Sequence, residues 1–337
     1  MKEINIIGQN EKVTPTLRRK VLLLSGSMIL FGMIIGLMFG FWLDEDVVDI
    51  LSERRLKGSY QFINPLLECD SSLGEKNIKL RNMEDLIKTY IDQVVRSGKV
   101  DTVAVYFRDL NNGPWMGINE DDEFAGASLL KLPLAMAVYK KSESNIGLLG
   151  TMVAYKEDKN SNNTQTFDLD MKLKLGKKYT LEELIERMLV NSDNEAKLLV
   201  EKFITGAEVA NFFEELGIHS SVDNNYDISV REYGAFFRIL YNSSYLSREN
   251  SEKILRILSK VSYSSGLKKW LPEGTVLSHK FGEKLIDGSG QLHDCGMVYR
   301  ERPPYLICVM TRGSKVKEME KVIENPPTER RVNRSPL

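Results

Sequence analysis

Residues 124–134 read FAGASLLKLPL and contain the pair of side chains around which the rest of the sequence is organised. Ser128 stands at the start of a helix predicted over residues 129–142, and Lys131 follows on the same helical face. At this spacing an uncharged lysine amine can take the proton of the serine hydroxyl. The positive end of the helix dipole would also stabilise developing negative charge. The stretch therefore predicts an activated serine nucleophile.

The same serine–lysine spacing occurs twice more, at residues 265–268 and 314–317. An isolated Ser-x-x-Lys is usually a surface coincidence, and we interpret these two occurrences in that way. The stretch around Ser128 differs because two further polar blocks follow it along the chain. The prediction of a site depends on those blocks.

The two blocks are residues 192–194, SDN, and residues 280–283, KFGE. The first opens an apolar helix, so a helix N-cap is its plain structural interpretation. The second ends a strand and precedes a hairpin. Together with Ser-x-x-Lys, and in this order, the blocks form the signature set of class A β-lactamases and penicillin-binding proteins. Over about residues 80–324 the chain therefore resembles the class A β-lactamase-like serine hydrolases.

The resemblance implies an α/β (α+β) fold of the serine β-lactamase/D,D-peptidase type. In that fold an antiparallel sheet packs against a helical subdomain, and the site lies between them. The resemblance also implies that Ser128 is the acyl-forming nucleophile and that Lys131 accepts its proton. Ser192 would relay protons to the leaving nitrogen, and Asn194 would hydrogen-bond a substrate amide. No metal or cofactor is implied.

The last block would supply charge and an oxyanion hole. By the resemblance, Lys280 brings positive charge beside Ser192 and the substrate carboxylate. Gly282 follows in the strand, and the backbone N–H groups of Ser128 and Glu283 would bind the oxyanion. A second ammonium group near the first lysine would also lower the pKa of that lysine toward a usable base.

Two departures from the family pattern change the expected activity. Class A β-lactamases hydrolyse the acyl-enzyme with a glutamate in an E-x-x-L-N loop, and this sequence has no such motif. Residues 217–227 contain no glutamate, and we interpret Asp223 and Asp227 there as surface turn residues. Phe281 replaces the family's threonine or serine, whose hydroxyl helps to hold the substrate carboxylate. We therefore expect slow or unusual deacylation and an altered substrate choice.

Residues 21–43 predict a single membrane anchor. They contain no charged side chain and, at about 1.5 Å per residue, would span roughly 35 Å as a helix. The preceding flank is rich in Lys and Arg, and the following one in Asp and Glu, which predicts a cytoplasmic N-terminus and an extracytoplasmic domain. Gly32, Gly36 and Gly40 recur at four-residue spacing. This stripe suits helix dimerisation, although glycine is common in membrane helices anyway.

The predicted organisation has five parts, and in its catalytic domain strands lie on both sides of a helical middle and a helix closes each end. The parts are a cytoplasmic segment (1–20), the anchor (21–43), a connector (44–79) with a packed apolar stretch (60–67), the domain (80–324) and a disordered tail (325–337). Periodicity predicts helices at 82–97, 129–142, 180–190, 194–204, 206–216, 229–242, 248–259 and 315–323. It predicts strands at 102–107, 275–281, 293–299 and 305–311.

Composition narrows the partners and the chemistry. Lys plus Arg number 46 and Asp plus Glu 47, so the chain lacks the basic excess of a nucleic-acid binder. His219, His279 and His293 have no partner at metal-ligand spacing, and we expect structural hydrogen bonds from them. Cys295 and Cys308 could face each other across the hairpin, but two buried thiols are the default expectation.

The sequence predicts a membrane-anchored, extracytoplasmic serine hydrolase whose substrate is a β-lactam or a cell-wall peptide. A true β-lactamase with a non-standard deacylating base remains an alternative within enzymes. A catalytically silent module that binds peptidoglycan or a protein on the same fold is the alternative from another class. The altered loop and Phe281 favour the silent module, whereas the joint presence of the serine, lysine and asparagine side chains favours the enzyme.

Overall fold

The computed structural model describes residues 54–55, 60–68, 78–110, 113–164, 172–218, 226–286, 289–299 and 304–325. The predicted anchor with its glycine stripe, the cytoplasmic segment, most of the connector and the tail beyond residue 325 lie outside these residues. Within the described ranges, no helix is long and apolar enough to cross a membrane.

A five-stranded antiparallel sheet forms the frame of the domain, with strand order β4-β3-β11-β10-β9. Its strands are β3 (Thr102–Asp109), β4 (Trp115–Ile118), β9 (Val276–Ile286), β10 (Ser289–Tyr299) and β11 (Tyr305–Gly313). Three two-stranded pairs join β1 (Arg54–Arg55) to β2 (Leu66–Glu68), β5 (Glu123–Ala125) to β8 (Asp227–Ser229), and β6 (Met152–Ala154) to β7 (Lys178–Thr180). Since β9 is an edge strand, its outer side is open to pair with other groups.

Helices cover both faces of the sheet. They are α1 (Ile78–Arg96), α2 (Lys131–Ser144), α3 (Leu181–Val190), α4 (Asn194–Val200), α5 (Gly206–Glu215), α6 (Val230–Asn242), α7 (Arg248–Leu258), α8 (Leu267–Trp270) and α9 (Val316–Glu324). Capping boxes at Thr180, Thr205 and Ser229 fix the starts of α3, α5 and α6.

The alternation of side chains along the strands divides the core in two. In β3, Val103 and Val105 pack with the apolar faces of α1 and α9, whereas Ala104 and Tyr106 pack with the helices of the middle of the chain. At Gly234 an added Cβ would lie 3.0 Å from Tyr106, so glycine permits α6 to lie close to the sheet. The predicted antiparallel sheet, with terminal helices and a helical middle, is confirmed.

A disulfide corrects the expectation of two buried thiols. Cys295 of β10 lies directly opposite Cys308 of β11 in the register, and the structure joins their sulfurs. Both side chains are fully buried on the side of the sheet that faces the middle helices. Residues paired directly across an antiparallel ladder approach closely enough for this bond, with 3.9 Å between these Cα atoms.

The apolar stretch at 60–67 contacts the domain. Phe62 and Ile63 are buried, and their backbone N–H groups donate to the Glu252 carboxylate of α7 at 2.9 and 3.1 Å. Phe62 also packs edge-to-face on Tyr299. These contacts hold the segment against the helical half of the molecule.

Candidate active site

The nucleophile turn presents Ser128 at the junction of sheet and helices. Ser128 lies in a 3₁₀ turn, Ala127–Leu130, and α2 continues from it, whereas the sequence predicted one uninterrupted helix. Ala127 adopts φ +47°, which bends the chain before the serine. Leu129 is completely buried, and its carbonyl accepts from the Tyr233 hydroxyl of α6 at 3.0 Å. The turn is therefore held from both sides, while Ser128 stays partly exposed.

Lys131 lies beneath the serine in the first turn of α2. Its Nζ is 3.0 Å from Ser128 Oγ, 3.0 Å from Ser192 Oγ and 2.7 Å from Asn194 Oδ1, and it also donates to the Ser192 carbonyl. The carbonyl and the amide oxygen only accept, so they take two N–H bonds of a neutral amine. Its lone pair then remains for a hydroxyl proton. The geometry suits a lysine that deprotonates Ser128.

The electrostatics favour that neutral amine. Burial first, and then the charges of Lys280 and Lys197, lower the pKa of Lys131 well below its ordinary value. The carboxylates of Asp193 and Glu283 oppose this shift in part. A lysine amine with a lowered pKa is a stronger candidate for a general base near neutral pH than an exposed one.

The second block reaches the site from the loop between α3 and α4. Ser192 has φ +56°, and this left-handed conformation turns both its carbonyl and its hydroxyl toward Lys131. Asp193 caps α4 by accepting from the backbone N–H groups of Glu195 and Ala196. Both interpretations of this block therefore apply: Asp193 is the helix N-cap, whereas Ser192 and Asn194 contact Lys131.

A polar clasp made of Ser161, Asn162 and Glu195 orients Asn194. The side-chain Nδ2 of Asn194 donates to the Ser161 carbonyl at 2.9 Å, and its backbone N–H donates to Asn162 Oδ1 at 2.7 Å. Asn162 also donates to Asp193 at 2.9 Å. The buried Glu195 carboxylate accepts from the backbone N–H and the hydroxyl of Ser161. One hydrogen of the Asn194 amide remains for a substrate carbonyl.

Lys280 comes from the edge strand β9 and meets the same serine. Its Nζ is fully buried and donates to Ser192 Oγ at 3.1 Å and to the Phe281 carbonyl at 2.8 Å. Burial lowers the pKa of Lys280 to about 7, although Asp294 and Glu283 act to raise it. Ser192 thus lies between two lysines, which suits a hydroxyl that passes a proton.

Gly282 brings β9 against the nucleophile turn. An added Cβ at this position would lie 3.0 Å from the backbone nitrogen of Leu129 and 3.4 Å from the Gly126 carbonyl. Only glycine permits so close an approach, so the backbone of Glu283 lies beside the turn that carries Ser128. This agrees with an oxyanion hole from the N–H groups of Ser128 and Glu283, which stays a prediction.

Phe281 forms an aromatic wall where the family pattern has a hydroxyl. Its ring stacks on Tyr263 at a centroid distance of 4.4 Å, and Lys280 Nζ lies 4.2 Å from the Phe281 ring centre.

The histidines nearby are structural. His279 Nδ1 lies 2.9 Å from Asp294, and His293 Nε2 lies 3.1 Å from the Ala125 carbonyl. His219 lies outside the described residues.

Several residues of the site carry no motif. The clasp is held by Glu195, the nucleophile turn by Tyr233, and the Phe281 ring by its stack on Tyr263. Of Glu195, Tyr233 and Tyr263, only the first had a local sequence signal, because it is an acidic residue in the first turn of a helix. That signal indicates helix capping and does not predict the hydrogen bonds of the clasp. Within the described ranges, no group of three His, Cys, Asp or Glu side chains is placed to hold a metal ion.

Comparison with known proteins agrees with the fold. No functionally curated protein matches the sequence. The structure resembles PBP-A at 20% identity (TM-score 0.61; 73% of this chain and 93% of that one). It also resembles a β-lactamase from Chitinophaga pinensis DSM 2588 at 21% identity (TM-score 0.61; 70% and 95%). The TLA-1 extended-spectrum β-lactamase is similar at 20% identity (TM-score 0.61; 71% and 95%).

A sequence model of the β-lactamase enzyme family matches residues 86–328, which include every residue of the site. This match covers more than half of the chain, whereas the structural likeness at these identities shows the fold alone. The chain belongs to the β-lactamase enzyme family and is a serine hydrolase of the β-lactamase type.

Proposed function

We propose that this protein is a membrane-anchored, extracytoplasmic hydrolase that is acylated on Ser128 by an amide substrate, either a β-lactam or a cell-wall peptide, and deacylates slowly. The observation that carries the proposal is the contact of 3.0 Å between Lys131 Nζ and Ser128 Oγ. The lysine is buried and its pKa is lowered, so it can accept the serine proton.

Acylation follows from the contacts around the two lysines. Lys131 takes the proton of Ser128 as Oγ attacks the substrate carbonyl, and the N–H groups of Ser128 and Glu283 bind the resulting oxyanion. The proton then passes from Lys131 to Ser192, which lies 3.0 Å away, and on to the leaving nitrogen. The C–N bond breaks as that nitrogen is protonated. The product is an ester of Ser128; a peptide substrate releases its amine, whereas the amine of an opened β-lactam stays attached to the acyl group.

Slow deacylation is supported by the oxygens that surround the base. The four oxygens that the described residues bring to Lys131 Nζ come from two serines and one asparagine, and none belongs to a carboxylate. The sequence also lacks the E-x-x-L-N loop. A mutant of PBP-A is known as an acyl-enzyme complex with penicillin G. An adduct of that kind would persist here for lack of a water-activating glutamate.

The anchor and the location remain part of the proposal. Residues 21–43 are uncharged, basic residues precede them and acidic residues follow them. By the positive-inside rule this orientation would put the active site outside the cytoplasm, where peptidoglycan lies. The glycine stripe of residues 32–40 would allow two such helices to pair.

The test is the intact mass of the full-length chain, purified in detergent micelles, after incubation with penicillin G or nitrocefin at millimolar concentration. We expect a stable adduct with the wild type and none with Ser128→Ala. Rapid nitrocefin hydrolysis without an adduct would instead mean a β-lactamase with another deacylating base. If the wild type shows neither an adduct nor hydrolysis, that result would contradict acylation by β-lactams and favour the silent binding module.

A further inference from the structure

Two arginines at the interface of β3 and α6 have no acidic partner. Arg108 belongs to the strand and Arg238 to the helix, and both side chains are half-buried. Among the residues that the structure describes, neither guanidinium group forms an ion pair. The Nε–H group of Arg238 is fully buried and, within the same residues, lacks a hydrogen-bond partner. A buried donor without an acceptor is costly, and a ligand with an acceptor could satisfy it.

The contact between α6 and the sheet brings both arginines to the same place. An added Cβ at Gly234 of α6 would lie 3.0 Å from Tyr106 and 3.2 Å from Leu306. Arg108 lies on the same face of β3 as Tyr106, two residues further on, and pairs directly with Leu306 of β11. Arg238 follows Gly234 by one helical turn and lies on the same face of α6. Each arginine is thus one step along the chain from the contact.

The strand and the helix run in the same direction from this contact. Arg312 pairs with Thr102 at the start of β3, and its guanidinium group donates to the Glu123 carbonyl at 2.9 Å. Glu123 in turn pairs with Ser229, the N-cap of α6. The starts of β3 and α6 therefore lie at the same end of the sheet. Because both elements lead away from that end, the two arginines lie on the same side of the contact.

The neighbours of Arg108 in the sheet offer it no acceptor. In the register it lies between Leu306 of β11 and Trp115 of β4. The Trp115 ring also contacts Tyr106, at 5.9 Å between ring centres. Leucine and tryptophan side chains have no hydrogen-bond acceptor for a guanidinium group. The donors of Arg108 are therefore left for a group from outside these strands.

The charge at this place is positive. Burial lowers the pKa of the Arg238 guanidinium group from its ordinary value, and Tyr106 opposes this shift. The charges of Arg108 and Arg231 lower that pKa further. Arg231 has its own partner, since it forms an ion pair with Asp121 at 2.7 Å. Arg108 and Arg238 thus remain as two like charges that repel each other unless an anion joins them.

We propose that Arg108 and Arg238 form a second binding site on the domain, which takes an oxyanion, the phosphate or carboxylate group of a ligand. A guanidinium group presents its donors in a planar fork that matches the oxygens of either group. Such an anion would satisfy the buried Nε–H group and offset the repulsion. The site is separate from the active site, because β11 and β10 lie between β3 and the strand of Lys280. This inference does not rest on the proposed acylation.

The test measures the thermal midpoint of unfolding of the full-length chain in detergent micelles, at neutral pH, in chloride, acetate or phosphate of equal ionic strength. We expect phosphate to raise the midpoint of the wild type by about 2–4 °C over chloride, because a ligand of the folded state stabilises it. Arg108→Gln and Arg238→Gln should each lose most of this rise. Arg96→Gln, which removes an exposed ion pair with Asp92, should keep it and so controls for the general effect of phosphate on protein surfaces.

A second measurement needs no variant and therefore does not depend on whether a variant folds. Phenylglyoxal modifies accessible arginines, and mass spectrometry of peptides from the treated wild type locates the modified side chains. Phosphate should slow the modification of Arg108 and Arg238 severalfold and leave that of Arg96 unchanged.

The outcomes decide for or against the second site. A larger rise of the midpoint with acetate than with phosphate would support it and identify a carboxylate as the group that it takes. Equal rises in the wild type and in both arginine variants, or no protection of either arginine by phosphate or acetate, would overturn it. Neither measurement involves Ser128, so the failure of one proposal leaves the other standing.

Discussion

The two halves of the active site differ in how they treat the family pattern. Around Ser128, three motif side chains converge on one buried amine, with contacts between 2.7 and 3.0 Å. Along β9, the lysine and glycine remain, but an aromatic ring and a carboxylate occupy the neighbouring positions. The groups that break bonds are thus kept while the groups that choose the substrate have changed. This difference predicts retained acylation with altered recognition.

The largest expected loss of acylation rate tests the half of the site around Ser128. Lys131→Met should lower the acylation rate about 10³-fold, because a positioned general base contributes about 10²–10⁴-fold. The rate is measured from the growth of the adduct by intact mass. Lys253→Met is the matched control, since Lys253 forms a partly exposed ion pair with Glu182 and should retain most of the activity. Equal losses in both variants would refute the assignment of Lys131 as the base.

The next prediction concerns the close approach of β9 to the nucleophile turn, where the two halves of the site meet. Gly282→Ala would put a Cβ 3.0 Å from the backbone nitrogen of Leu129, so β9 must move away from the nucleophile turn. A displacement of this kind should cost about 10²-fold in acylation. Gly150→Ala, where no atom lies within 4 Å of the added Cβ, is the control. Full activity of Gly282→Ala would mean that the close approach of β9 is irrelevant.

Lys280 belongs to both halves, and its burial predicts a pH-dependent stability. Its folded-state pKa is about 7, below that of the unfolded chain, so between pH 7 and 10 the unfolded state binds more protons. Wild-type stability should therefore rise over that range, relative to Lys280→Met, by about 1.4 kcal/mol per pH unit. Urea unfolding at pH 7, 8 and 9 measures this slope. Lys260→Met, which alters an exposed ion pair, should leave the slope as in the wild type.

The smallest effect concerns the clasp. Burial raises the pKa of Glu195, but hydrogen bonds from Ser161, Lys159 and Tyr155 outweigh it and hold the pKa below its ordinary value. Glu195→Gln should therefore cost about 1–2 kcal/mol at pH 7, and less as the pH falls toward 4, where the wild type loses the same contribution.

Urea unfolding at both pH values checks the clasp prediction. Glu186→Gln, which removes an exposed ion pair with Lys260, is the control and should cost less than about 0.5 kcal/mol at either pH. A cost of Glu195→Gln that grows on acidification would contradict the clasp, since the sign of the shift requires the opposite.

Local patterns predicted most of the frame. The helices at 180–190, 206–216 and 229–242 lie within a residue of the observed α3, α5 and α6, because capping residues and apolar periodicity both mark them. The strands at 275–281 and 293–299 are longer than predicted. In the hairpin the ladder continues through polar positions such as Lys284 and Gln291, which alternation alone does not assign.

The contacts that could not be predicted from the sequence are those between residues far apart along the chain. Cys295 and Cys308 flank one turn, but only the register puts them directly opposite each other. The stack of Phe281 on Tyr263 joins β9 to the loop before α8, and the clasp joins residues 161–162 to α4. Such contacts depend on how separate elements pack, and no local spacing encodes them.

The most direct test of the central claim is to locate the acyl group. The full-length chain is incubated with penicillin G, digested with a protease and analysed by mass spectrometry, with samples taken over an hour. We expect the adduct to lie on the peptide that contains Ser128 and to persist over the hour. An adduct on another residue, or on Ser128 but lost within seconds, would contradict a retained nucleophile with slow deacylation.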